Sequence, residues 1–278
     1  MKCSSKVKIA SALTVAAMYS ACQPAATSAA LVSSSLKMTG AAKAATVAQH
    51  SPKGILGLLL NQAFAFVSPS IVDSNAVSIN LTNAWVVIKE IEFEAAEIKE
   101  ANEVDGSEVS FKGPYYADLL SNSPLVLDTQ SIPAAPYKRI KMKLHSSSAT
   151  LPSGIPLQLT NNSIFLQGTV GVNNFTLQLD DSTELSIAGA NPVVPADGVS
   201  LLIEVNLANI FKQINMSTVA NNEIIDSSNR HAGTNLCPSI DASANDLYTC
   251  IRKGLQTHAN FGDDSDGNDD LGSTEDVH

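Results

Sequence analysis

The residues able to do chemistry are few and far apart. His231, Cys237, Cys250 and His258 form the one mixed cysteine and histidine group, a ligand set that zinc accepts, but its spacing is not that of a compact finger. The remaining histidines, His50, His145 and His278, are scattered, and no Gly-x-Ser-x-Gly nucleophile elbow occurs. A non-enzymatic protein is therefore expected, with a hydrolase of dispersed active site as the rival, because triads assemble in space and not in sequence. The tail DDSDGNDDLGSTEDVH has the densest oxygen ligands, with Asp264, Asp266, Asn268 and Asp270 around Gly267. Setting Gly267 at the sixth position of a calcium loop puts Gly262 first and Ser273 twelfth, so the opening aspartate and the bidentate glutamate are both missing. A solvated acidic tail, or weak calcium binding in the millimolar range, is what this pattern predicts, and no other cofactor is expected. One further thiol, Cys22, closes an apolar run in the stretch AAMYSACQPAA.

The first 21 residues have three parts: a basic start (MKCSSKVK), an apolar middle (IASALTVAAM), and small residues up to Ala21. This is the layout of an export signal, and the middle is too short to span a bilayer, which needs about 20 apolar residues. Tyr19-Ser20-Ala21-Cys22 resembles the lipobox of bacterial lipoproteins, in which the cysteine receives a diacylglycerol, the signal is cut before it, and the new amino terminus is acylated. Ser20 and Ala21 match that pattern, while Tyr19 stands where an aliphatic residue is usual. An ordinary secretory signal cut near Ala21 is the alternative. The resemblance implies lipidation at Cys22 and, since Gln23 and not aspartate follows, an outer-membrane lipoprotein. Cys3 would then leave with the signal and Cys22 would be acylated, so Cys237 and Cys250 remain to pair as a disulfide in an oxidising compartment.

Composition narrows the partners. The 278 residues are 44% hydrophobic and 16% charged, a globular balance with a polar surface built largely from uncharged side chains. Net charge is -10, and the first 21 residues contribute three lysines without an acid. Such an acidic chain is repelled by phosphate backbones and by anionic lipid, so no nucleic-acid partner is expected. The expected partners are the membrane, through the lipid anchor, and an unidentified protein or glycan.

Elements follow from periodicity. Residues 22–51 are Ala-, Ser- and Thr-rich and read as the lipidated amino terminus and a flexible tether; 52–75 form an apolar lead-in containing GILGLLLNQAFAFV. One-sided alternation then begins. Trp85, Val87, Ile91 and Phe93 oppose Glu90, Glu92 and Glu94, with Lys89 interrupting the apolar side and Val86 and Ile88 the polar one. It recurs over 140–145, 175–180 and 199–207, between turn formers such as Asp105-Gly106 and Asn173-Asn174. The pattern predicts a mainly β fold, an antiparallel β-sandwich over 76–210. A helical extension with the disulfide follows over 211–262, then the acidic tail 263–278. Leu207, Ile210, Phe211 and Ile214 are spaced for one short helix; Leu247, Cys250, Ile251 and Leu255 for a second, capped by Asp241 or Ser243.

The segment ADLLSNSPLVLDTQSIPAAPYKRIKMKL, 117–144, resembles a family of exported bacterial domains of unknown function. Asp118-Leu119-Leu120, Ile132-Pro133-Ala134, Tyr137 and Ile140 carry the resemblance, with Pro136 where glycine is usual. It implies a transthyretin-like or immunoglobulin-like sandwich and brings no catalytic residues. The functional expectation is a lipid-anchored cell-envelope β-sandwich that acts as a binding or structural module. Its rivals are a carrier of a small ligand or carbohydrate and the dispersed hydrolase.

Overall fold

In the computed structural model, which describes residues 30–40, 71–95, 109–146, 150–180, 182, 184–267, 269 and 271, the alternating runs become strands. In chain order they are β1 (Leu31–Gly40), β2 (Ile71–Val72), β3 (Ser78–Ala95), β4 (Val109–Asp118), β5 (Leu125–Pro133) and β6 (Tyr137–Leu144). Then come β7 (Ile164–Val170), β8 (Asn173–Leu179), β9 (Glu184–Val193), β10 (Ser200–Val205) and α1 (Leu207–Lys212). The order finishes with β11 (Glu223–Ile225), α2 (Leu247–Thr257) and β12 (Ala259–Asp264). One sheet runs β12-β10-β1-β5; the other runs β11-β8-β7-β3-β6-β9, with β2 and β4 also on β3. The fold is mainly β, as the periodicity predicts, but not wholly antiparallel: β1 with β10 and β11 with β8 are parallel pairs.

β3 organises the larger sheet. Its residues 85–86 pair with both β4 and β7, and residues 90–93 pair with both β4 and β6. A strand has two edges, so β6 and β7 must share the edge opposite β4 and part company near Val87. A register shift between Ile88 and Glu90 marks a bulge there, and it explains the mixed parity in the sequence. Before the bulge Val86 and Ile88 face the main core; after it Ile91 and Phe93 do. Trp85 and Val87 therefore do not share a face with Ile91 and Phe93, as strict alternation predicts. They turn to the opposite face, where Leu151, Ile155 and Leu159 of the loop before β7 cover them with Phe165 and Tyr116. Beside the bulge a Cβ on Gly113 of β4 would lie 2.4 Å from the Ile88 carbonyl oxygen, which explains the glycine.

The outer face of β3 past the bulge carries a charge ladder. Lys143 reaches Glu90 (3.2 Å) and Glu92, while Glu94 receives Arg139 (3.2 Å) and Lys141. Such exposed, solvent-screened pairs add little to stability, so their larger effect is on register. Beneath them the two sheets meet. Phe93 stacks edge-on against Tyr137 at 5.6 Å and against Phe261 of β12, in the other sheet, at 6.2 Å. Tyr137 is fully buried, its phenol pushed up to about 12 by burial, and its hydroxyl donates to the Pro133 carbonyl at 3.2 Å.

Two parts of the sequence reading are corrected. Residues 31–40 are not tether: they form β1, the interior strand between β5 and β10, with Leu36 and Met38 buried. The Ala, Ser and Thr composition masked a short alternation in which Val32, Ser34, Leu36 and Met38 point inward, and the buried Ser34 hydroxyl is satisfied by the Val199 carbonyl at 2.9 Å. Likewise, 211–262 is not a purely helical extension, because β11 and β12 join the sheets; α1 itself begins at Leu207, where the spacing of Leu207, Ile210 and Phe211 predicts it. One continuous core runs from Leu36 to Phe261. Residues 1–29 and 52–70, with Cys22, the signal and most of the apolar lead-in, lie outside the described residues.

The two ends of the sandwich differ. At the near end Ala30 accepts from the Ala134 N–H at 2.7 Å, and the Ser33 N–H donates to Asp197 at 3.1 Å, so the amino-terminal chain enters beside the β5–β6 bend and the β9–β10 turn. The far end carries the β7–β8 turn, α1, and the long connection between α1 and α2.

Candidate functional site

The connection from 213 to 246 has little regular structure, so side chains must satisfy its backbone. Asp73, 1% exposed, does this at one edge. Its Oδ1 accepts from the N–H groups of Asn75 and Val77, both at 2.8 Å, and its Oδ2 from that of Met216 at 3.1 Å. Asn75 extends the contact through its amide to Asn215 at 2.9 Å and Ser217 at 3.2 Å.

Next to this edge lies an ordered triad of groups. The Thr218 hydroxyl is 3.1 Å from His231 Nε2, and His231 Nδ1 is 2.7 Å from Glu223 Oε1. A neutral imidazole that donates from Nδ1 to the carboxylate offers Nε2 as acceptor for the hydroxyl, the order a general base needs. Glu223 sits at the start of β11, and its second oxygen accepts from the Ala220 N–H at 2.8 Å. Burial pushes this carboxyl up most strongly, but His231 and the Ala220 N–H together outweigh it and hold it below its ordinary range. His231 is in the left-handed region (φ 51°), which turns the chain so that Arg230 and His231 serve different partners.

Arg230 grips Asp246 through two nitrogens, Nε at 3.2 Å and a terminal nitrogen at 3.3 Å, and lies 4.4 Å from the centre of the Tyr248 ring. Tyr248 donates to Asp180 at 2.7 Å. Asp246 also caps α2, accepting from the Thr249 N–H at 2.6 Å, so the cap is neither Asp241 nor Ser243. Below these groups Cys237 and Cys250 are joined, with Cα atoms 5.8 Å apart and both side chains buried. The bond staples the connection to α2. It also removes both sulfurs from any zinc site, and His258 bonds instead to Gln213 at 2.7 Å.

The acidic tail begins inside the sheet. Asp264 is in β12, 5% exposed, with Oδ2 at 3.2 Å from Lys37 Nζ, while Asp269 receives the same ammonium at 2.8 Å. The hydrogen bond that Lys37 donates to Asp269 raises the Lys37 pKa most, with burial working against it and Asp264 adding to it. A side-chain cation thus lies against Asp264, and Asp266 is exposed; Asn268 and Asp270 are outside the described residues. Among the described residues, no group of three or more His, Cys, Asp or Glu is placed to hold a metal ion.

A shallow concavity of about 540 Å³ lies elsewhere, over the loop before β7, lined by Leu151, Pro152, Ile155 and Leu157 among others. None of the groups of the Thr218, Glu223 and His231 network lines it. Sequence reasoning missed that network because Thr218, Glu223 and His231 sit in an irregular connection, where no period marks which polar side chains converge. No known protein family matches the chain, and neither a curated protein nor a solved structure does.

Proposed function

We propose that this protein is a lipid-anchored module of the cell envelope, held through Cys22 at the outer membrane and presenting its far end to a protein or glycan partner. The observation that carries the reading is the opposition of the two ends. The chain that follows Cys22 enters at the near end, while the polar network and its disulfide staple lie at the other. With β1 starting at Leu31, only eight residues, 23–30, separate Cys22 from the sheet. At 3.3–3.6 Å per residue they reach at most about 28 Å, which keeps the near end close to the bilayer. The buried disulfide supports an oxidising, exported location. Among the described residues no helix is long and apolar enough to cross a membrane.

The test is acyl labelling with membrane fractionation. Cys22→Ala should abolish labelling and release the chain from membranes, whereas continued labelling would refute the anchor. A second reading, a hydrolase, is favoured by one observation, the Thr218, His231 and Glu223 alignment. It is separable from the first: a fluorophosphonate probe should label Thr218 in the hydrolase, and in the binding module it should not.

A further inference from the structure

We infer that the near end is itself a lipid-contacting surface, a reading that rests on the anchor proposed above and adds a second contact to it. An apolar tip, built from the start of β1, the β5–β6 bend and the β9–β10 turn, lies in the headgroup and upper acyl region of a zwitterionic bilayer. The three segments converge in the fold. Leu31 pairs with Pro133, Tyr137 with Val193, and the Gly198 N–H donates to the Ser33 carbonyl at 3.2 Å. They gather Leu31, Pro133, Ala135, Pro136, Val194 and Ala196, with Leu31 and Val194 exposed by 68% and 53%. A single exposed apolar side chain is ordinary, but a group drawn together from three segments marks an interaction surface.

The backbone of the tip selects lipid as the partner. A loop that enters lipid must not carry unpaired amides, since no water is there to receive them. Pro133, Pro136, Pro192 and Pro195 have no N–H group at all. The N–H groups of Ala134, Ala135 and Val199 donate to the carbonyls of Ala30, Pro133 and Ala196 at 2.7, 2.8 and 3.1 Å, and that of Ser33 to the Asp197 carboxylate at 3.1 Å. Charge agrees with this. Through 30–33, 133–137 and 192–196 no side chain is charged, and the exposed Lys138 directly after the bend is able to meet a lipid phosphate. The far end differs, since Asn75, Asn174, Asn221 and Asn222 are exposed in its turns. A surface this small binds weakly alone, but the anchor beside it raises its effective concentration at the bilayer.

The experiment uses the full-length chain on phosphatidylcholine vesicles, with a polarity-sensitive fluorophore on Ala196→Cys and a nitroxide high on the lipid acyl chain. Blue-shifted emission that the nitroxide quenches is expected. Leu31→Asp with Val194→Asp should abolish both, while acylation, retention on vesicles and melting temperature stay as they are, because these two side chains are exposed. Water-like, unquenched emission from an acylated and retained chain would overturn the tip and leave the anchor standing. If the chain is found without acyl groups, binding to the vesicles that the two aspartates remove keeps the tip and refutes the anchor. No binding of that chain would overturn both.

Discussion

At the scale of single residues, the far end is fastened by a few groups that each satisfy several backbone positions. The Cys237–Cys250 pair was legible in the cysteine count, and its removal by a double Cys→Ser change should lower unfolding free energy by about 3 kcal/mol in denaturant titration. Asp73 was not legible, since one aspartate in a turn has no signature of a three-amide acceptor. Asp73→Ala should cost about 1–3 kcal/mol, because it strands the buried Met216 N–H and removes the acceptor of the Asn75 and Val77 N–H groups. Thr218 separates the two functional readings. A purely structural hydroxyl makes Thr218→Ala nearly neutral in stability and without effect on partner binding through the rest of the far end, whereas a nucleophile makes it abolish probe labelling.

At the scale of elements, the β3 bulge and the hidden strand β1 show where sequence patterns mislead. Alternation across 84–94 is broken by Lys89, and the break reads as noise unless an extra residue is allowed at that point. Deleting Lys89 should therefore be tolerated better than a deletion elsewhere in β3. The deletion brings Val86, Ile88, Ile91 and Phe93 onto one parity without a bulge, so thermal melting should keep a cooperative transition, and Lys89→Ala should stay near wild type. β1 failed to stand out for a different reason: its inward side chains include Ser34 and Gly40, and its polar neighbours are those of a tether. Gly40 is required by contact, since a Cβ there would lie 2.0 Å from the Leu119 carbonyl oxygen. Gly40→Val should accordingly destabilise the sheet, by about 1–3 kcal/mol from overpacking.

At the scale of the whole molecule, the mainly β class followed from the period, while the joining of β1 and β12 into one sheet did not. β12 and β1 flank β10, and the tail residues Asp264 and Asp269 close on Lys37, contacts of long sequence separation that no local pattern encodes. The same long-range packing sets the response to acid. Burial holds His258 below its ordinary value of 6.5, and its neutral ring accepts from Gln213. The unfolded chain therefore binds this proton first, so the stability from His258 is complete above about pH 6.5 and is lost as pH falls through the depressed value. Melting temperature should decline from pH 7 towards pH 5, and His258→Asn should flatten that decline. The lowered carboxyls of Glu223, Asp246 and Asp180 add a further loss at lower pH, as each is protonated only below its ordinary range.

The central claim, a sandwich held by one end with its polar network presented at the other, is tested most directly by depth. Val194 after β9 is at the near end and Val172 in the β7–β8 turn is at the far end, 53% and 91% exposed. Fluorophores placed at each position in the lipidated protein on vesicles should respond oppositely to a quencher attached to lipid headgroups: strong quenching at 194 and little at 172. Quenching at 172 with none at 194, or vesicles that fail to retain the protein, would contradict the account.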